Sequence, residues 1–248
     1  MTEPTENARV LSAGQRWLDD EVADWQIGRG TALMLLAGPI VFAGIVALTI
    51  PIRPLYEFLV EEDAIVEWIQ VAVLVGIIGL GIAMARRLVA VRSPAALVFI
   101  LGVVGTAFIA GEEIYWGQRI FGWATPEQLE ALNQQGETNI HNIGSLLRVF
   151  NFGMMTIALV AAVLPVAWRA TVGSRNRRGL EILFLPPLFL VPSFLIAFTY
   201  RAIRFTVVPE GRYVVTHYQE VTELIFYVAL LAFLVLVLRR TRGWPAAS

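Results

Sequence analysis

The run from Thr31 to Ile52 contains no charged residue. At about 1.5 Å of rise per helical residue it is long enough to cross a hydrocarbon core of about 30 Å. Inside a bilayer such a segment must satisfy its own backbone hydrogen bonds, so it reads as a transmembrane helix. Five comparable runs follow, over residues 64–85, 94–113, 147–168, 180–200 and 217–238. The composition agrees: 57% of the 248 residues are hydrophobic, 16% are charged and the mean hydropathy is +0.66. No polar segment is long enough for a separate soluble domain. The expected fold is all-α, a polytopic membrane helix bundle of six spans. Residues 1–30 form a tail and an amphipathic helix, and residues 31–242 form a single transmembrane domain.

The connecting segments carry their own signals. In residues 10–28, Leu18, Val22 and Trp25 fall on one helical face opposite Asp19, Asp20 and Asp24, which predicts an amphipathic helix under the bundle. Ser93-Pro94 is a helix start for the third span. Thr125-Pro126-Glu127-Gln128 has the form of a capping box and predicts a short interfacial helix through Asn133. Pro186, Pro187 and Pro192 fall in the fifth span, which is therefore kinked or broken. The runs Phe205–Val208 and Tyr213–Val215 flank Pro209-Glu210-Gly211-Arg212 and suggest a small hairpin. Thr216-His217-Tyr218-Gln219 is a second capping box, which starts the sixth span at His217.

All 19 basic residues are arginine. With six spans and both ends of the chain on one side, that side receives Arg86, Arg87, Arg92, Arg169, Arg175, Arg177, Arg178, Arg239, Arg240 and Arg242. By the positive-inside rule it faces the cytoplasm, which predicts a multi-pass protein of a bacterial inner membrane with cytoplasmic termini. Glu67, Glu112, Glu113, Glu137, His141, His217, Glu220 and Glu223 then gather at the opposite, external leaflet. Polar groups at that depth are costly unless they are paired or in use, so the gathering marks a site.

Several chemistries suit these residue types. Glu137 and His141 are spaced i, i+4, and His217 and Glu220 are spaced i, i+3. With Glu113 they would make a nitrogen and oxygen set suited to zinc, iron or manganese. The chain has no cysteine, so thiolate ligation is excluded. Glu112, Glu113 and Tyr115 are candidate acid–base residues, in a metal-dependent membrane hydrolase or oxidoreductase or in a metal-free site. Arg201 and Arg204, with Arg119, Trp116 and Gln118, would hold the headgroup of a membrane lipid or lipid-phosphate substrate. The plainer readings are that Arg201 and Arg204 snorkel to the interface and that Trp116 and Tyr115 anchor there. A proton- or ion-coupled transporter is the main alternative to an enzyme, and a non-enzymatic accessory subunit the third reading. No phosphate loop, dinucleotide fingerprint, nucleophile elbow or basic nucleic-acid patch is present, so no nucleic-acid partner is expected. Oligomeric state stays open.

The block Gly111-Glu112-Glu113-Ile114-Tyr115-Trp116-Gly117-Gln118-Arg119-Ile120-Phe121-Gly122, with Gln135-Gly136-Glu137-Thr138-Asn139-Ile140-His141-Asn142 downstream, resembles blocks of a family of uncharacterised bacterial multi-pass membrane proteins. The resemblance implies that the two blocks form one site. It implies no activity.

Overall fold

A computed structural model describes residues 6–61, 64–126, 138, 144–173, 179–208 and 212–242. Its helices are α1 (Glu6–Trp25), α2 (Arg29–Thr49), α3 (Arg53–Val60), α4 (Ile65–Ala90), α5 (Ala95–Glu113), α6 (Gln118–Phe121), α7 (Gly144–Val172), α8 (Glu181–Phe184), α9 (Val191–Thr206) and α10 (Tyr213–Arg240). The described residues form an all-α bundle, and six helical segments are long and apolar enough to cross a membrane. The chain is an integral membrane protein with the six spans its hydropathy predicts.

Helix packing in lipid draws on close contact more than on the hydrophobic effect, because the lipid tails are as apolar as the side chains. Leu97, Leu101 and Val104 accordingly stay exposed along one face of α5, while small residues fill the interfaces: Ala110, Ala158, Ala162, Ala197 and Ala229 are buried. Gly81 is the tightest approach, where a Cβ would fall 2.7 Å from Val103 Cγ2 across the α4–α5 contact. The interior holds Leu74, Ile77, Met84, Leu88, Phe189, Phe194, Phe226 and Val237.

The fifth span is broken, as its prolines require. α8 gives way at Leu185 to extended backbone, Leu188–Leu190 forms a 3-10 turn, and Pro192 sits in the first turn of α9, where its missing N–H costs nothing. Leu188 N–H, beside the break, donates to the Glu21 carboxylate at 2.9 Å. Glu21 belongs to α1, which lies across the arginine-rich ends of the spans. There Arg169 pairs with Asp20 at 2.8 Å and Arg240 with Asp24 at 3.2 Å. Leu18 and Trp25 are buried, Trp25 edge-on to Phe233, so the apolar face of α1 packs under the bundle as its pattern predicts.

Two local expectations are corrected. Phe205 and Thr206 close α9, and Tyr213, Val214 and Val215 open α10, so these runs are helical and not strands of a hairpin. The β-branched and aromatic residues extend spans that already satisfy their own backbone, which outweighs their strand preference. The sixth span therefore begins at Tyr213, one turn before His217, and the Thr216 N–H bonds the Arg212 carbonyl at 3.0 Å instead of opening a capping box. Of the short helix expected after Thr125, Thr125 and Pro126 are not helical and the remainder lies outside the described residues.

The α4–α5 contact gives a paired test. Gly81→Leu forces a side chain into Val103 and should cost about 1–3 kcal/mol through overpacking. Gly79, with nothing within 4 Å of its Cβ position, should accept the same change. Thermal unfolding of the two variants in detergent compares them, and equal melting temperatures would contradict the close packing at Gly81.

Candidate functional site

The last turn of α5 carries Glu112 and Glu113, and the chain then reverses sharply. Tyr115 (φ 49°), Trp116 (φ 53°) and Gly117 (φ 96°) are consecutive left-handed residues. Only glycine enters that region freely, and each non-glycine residue there costs roughly 1–2 kcal/mol. A side chain at Gly117 would meet the Trp123 ring at 2.9 Å. Contacts on both sides hold the reversal: buried Glu112 accepts the Trp116 indole N–H, and Trp116 lies edge-on to Phe108.

The reversal delivers Arg119 back to the end of α5. Its guanidinium pairs with Glu67 of α4 at 2.8 Å, donates to the Glu113 carbonyl at 3.0 Å and to the Tyr115 hydroxyl at 2.7 Å, and lies 4.0 Å from the Tyr115 ring centre. Gln118 Oε1 accepts the Thr138 N–H at 2.8 Å, which brings part of the second polar block to the first. Glu137 and His141 of that block lie outside the described residues.

A second arginine occupies the opposite wall. Arg201 is 1% exposed; it pairs with Glu223 of α10 and donates to Asn151 Oδ1 of α7 at 3.3 Å and to the Met154 sulfur at 3.2 Å. Its Nη1 has no hydrogen-bond partner among the described residues. The sequence puts Arg201 at the external end of the fifth span, as a headgroup ligand or an interfacial anchor, and the structure buries it in the bundle. α9 runs on past Tyr200, so Arg201 stands inside the helix and turns into the bundle. Arg204, one turn on, is half-buried beside the Phe205 ring.

Between the two arginines lie the remaining carboxylates. Gln70, fully buried on α4, donates to the Glu220 carbonyl at 2.8 Å and to its carboxylate at 3.1 Å. Gln219 donates to Glu223. The Glu113 carboxylate makes no hydrogen bond or ion pair among the described residues, and Glu223, Glu220 and Glu67 all lie within its electrostatic reach. The Tyr227 phenol, 2% exposed, is within reach of Glu223 and Glu113.

Glu67, Glu113, Tyr115, Arg119, Arg201 and Glu220 thus come together as one centre. His217 stands at its rim, its Nδ1 hydrogen-bonded to the Tyr213 carbonyl at 2.9 Å and its ring against Tyr213. Among the described residues no three His, Asp or Glu side chains are grouped closely enough to hold a metal ion. Asn151, Gln219 and Tyr227 were not singled out from the sequence, although Glu220, Glu223 and Tyr227 form an i, i+3, i+7 stripe that a helical reading of the sixth span contains. No protein-family model, curated protein or solved structure matches this chain.

Both arginines leave a buried charge if a partner is removed. Glu67→Ala should destabilise the protein by about 3–5 kcal/mol, because the desolvated Arg119 guanidinium then loses its ion pair with Glu67. The double variant Glu67→Ala/Arg119→Leu should recover part of that loss. Unfolding titrations in mixed micelles measure both, and a double variant no more stable than Glu67→Ala would show that the pair does not couple.

Proposed function

We propose that this integral membrane protein is a proton- or ion-coupled transporter whose ion-carrying groups are Glu113 and Glu220. The observation that carries the proposal is the state of Glu113, a half-buried carboxylate in a membrane bundle with no hydrogen bond or ion pair among the described residues and three other carboxylates around it. Among the described residues, Glu67, Glu113, Glu220 and Glu223 are gathered near the guanidiniums of Arg119, Arg201 and Arg204, and the ion pairs there engage Glu67 and Glu223. An ionised carboxylate without a paired cation is unfavourable at that depth, so on this reading Glu113 takes up an exchangeable proton or ion.

Three further features support the reading. Arg201 Nη1 is a buried donor left for an oxygen of the transported solute. The broken fifth span supplies an element able to change its packing, as discontinuous helices do in transporters. On the arginine-rich side Leu74, Ile77, Phe194 and Phe226 form an apolar floor, which closes that side in this conformation. Of the residues expected to catalyse or to bind a headgroup, Tyr115 is engaged with Arg119, Glu112 with Trp116 and Arg201 with Glu223. We place the protein in a bacterial inner membrane with the arginine-rich side, and both termini, in the cytoplasm.

A second reading, an enzyme acting on a lipid or lipid-linked substrate, is favoured by one observation. An apolar groove of about 510 Å³, lined by Ile65, Trp68, Ile69, Ala72, Val73 and Leu231, runs along α4, whose inward face carries Glu67 and Gln70. In that reading Glu113, Glu137, His141, His217 and Glu220 would hold zinc, iron or manganese. Elemental analysis of the purified protein decides the metal.

Proteoliposomes loaded with a pH-sensitive dye test the transporter. Solutes that change the lumenal pH with wild-type protein should fail to do so with Glu113→Gln, and solute-driven flux unaffected by Glu113→Gln and Glu220→Gln would overturn the proposal. The orientation is checked by cysteine labelling, which is simple because the chain has none of its own. A cysteine at exposed Gly122 should react with an impermeant maleimide in intact cells, and one at Arg92 should not.

A further inference from the structure

Burial along α9 separates its two faces. Phe194, Ala197 and Arg201 are buried and lie at i, i+3 and i+7, while Leu195, Thr199 and Ile203 on the other side are exposed. Arg204 is the next member of the inward series, one turn beyond Arg201 toward the C-terminal end of the helix, and is half-buried. Both guanidiniums have donors to spare. Arg201 commits Nε and Nη2 to Asn151, Met154 and Glu223, and its Nη1, shielded from solvent, bonds nothing among the described residues. Arg204 makes no hydrogen bond or ion pair among the described residues; its guanidinium lies 5.5 Å from the Phe205 ring centre and within electrostatic reach of Arg201. Two like charges one turn apart repel, and a buried donor without an acceptor costs stability. An oxyanion between them relieves both.

We infer that Arg201 Nη1 and the Arg204 guanidinium anchor the carboxylate of a small, water-soluble solute, one oxygen to each. Guanidinium donors suit an oxyanion with two oxygens to share. The surroundings narrow the class. Glu220 and Glu223 lie within electrostatic reach of Arg204, so a singly charged carboxylate is admitted more readily than a dianion such as hydrogen phosphate. A phospholipid headgroup is disfavoured by position, because the exposed side of α9 is Leu195, Thr199 and Ile203, and both arginines stand on the other side. Arg204, nearer the helix end and partly accessible, meets the solute first, and Arg201 holds it at depth. The inference rests on the transporter reading for the statement that this solute is carried, but its binding is tested without flux.

Thermal unfolding of the purified full-length protein in phosphatidylcholine nanodiscs is followed in sodium acetate, sodium benzoate, sodium phosphate and sodium chloride at matched ionic strength. The expected result is saturable stabilisation by a carboxylate over chloride, since a ligand that binds the folded state alone stabilises it by mass action. Arg204→Gln should raise the half-saturating carboxylate concentration about tenfold, the effect of losing one charge-assisted hydrogen bond. Arg53→Gln, at an exposed arginine outside this face, should leave it unchanged. If Arg204→Gln does not fold, Arg204→Lys and the wild-type comparison of carboxylates with chloride carry the test. Equal melting curves in carboxylates and chloride would overturn the inference. So would phosphate acting at lower concentration than either carboxylate, or a carboxylate effect that Arg204→Gln leaves intact. Stabilisation by added phosphatidylglycerol that Arg204→Gln abolishes would assign the arginines to a lipid headgroup and overturn it as well. Solute-driven proton flux in a protein that no carboxylate stabilises defeats this site alone. Carboxylate binding without flux defeats the transporter reading and leaves the site.

Discussion

A guanidinium in hydrocarbon cannot be left alone, and that constraint organises the site end of the bundle. Desolvating the charge costs several kcal/mol even after relaxation, so it must meet a carboxylate with well-placed hydrogen bonds. Arg119 does so by joining Glu67 of α4 to the carbonyl end of α5, and Arg201 by joining α9 to Glu223 of α10 and to Asn151 of α7. Between them the two residues tie most of the spans together at a single depth. The strained turn at Tyr115 and Trp116 follows from the same need, since without the reversal Arg119 would not return to the α5 terminus. The cost of two left-handed residues is smaller than that of an unpaired buried arginine.

The opposite end solves a related problem in a wetter setting. Positive charges gather there, and the acidic face of α1 meets them through Asp20, Asp24 and Glu21. Glu21 has a second part. The prolines that break the fifth span remove backbone donors and leave others unpaired, and its carboxylate accepts the Leu188 N–H beside that break. An anion at the amino end of a helical segment is also favoured by the segment's dipole. The amphipathic helix thus stabilises a discontinuity inside the bundle as well as covering its underside.

Much of the fold was legible because hydropathy reports the cost of exposing a peptide group to lipid, and that cost is uniform along the chain. The six spans and the break at Pro186 and Pro187 follow from it directly. What was not legible depends on where a helix ends. Tyr213–Val215 and Phe205 have strand-forming side chains, yet each continues a span by one turn, and local propensity is too weak to prevent this. The burial of Arg201 has the same origin: a span expected to end at Tyr200 puts that arginine at its end, and a helix reaching Thr206 carries it inside the bundle. The meeting of Glu67, Glu113, Glu220 and Glu223 was legible from topology. Their distribution between the two arginines was not, because pairing depends on which face of each helix turns inward.

Helix direction adds a last element. Glu113 closes α5, where the partial negative charge of the helix end repels a carboxylate, and Arg119 caps that end through the Glu113 carbonyl without bonding the Glu113 carboxylate among the described residues. Glu220 and Glu223 lie about two and three turns into α10, beyond the reach of its terminal charge. The helix dipole therefore weighs against negative charge at Glu113 and has little effect at Glu220 and Glu223. That asymmetry arises from chain direction before any ligand is considered, and under the transporter proposal it favours Glu113 as the group that takes up the proton or ion. Arg119 and Glu67 tie the end of α5 to α4, and Arg201 and Glu223 tie α9 to α10, so the carboxylates proposed to carry the ion are held in place by two ion pairs that are structural.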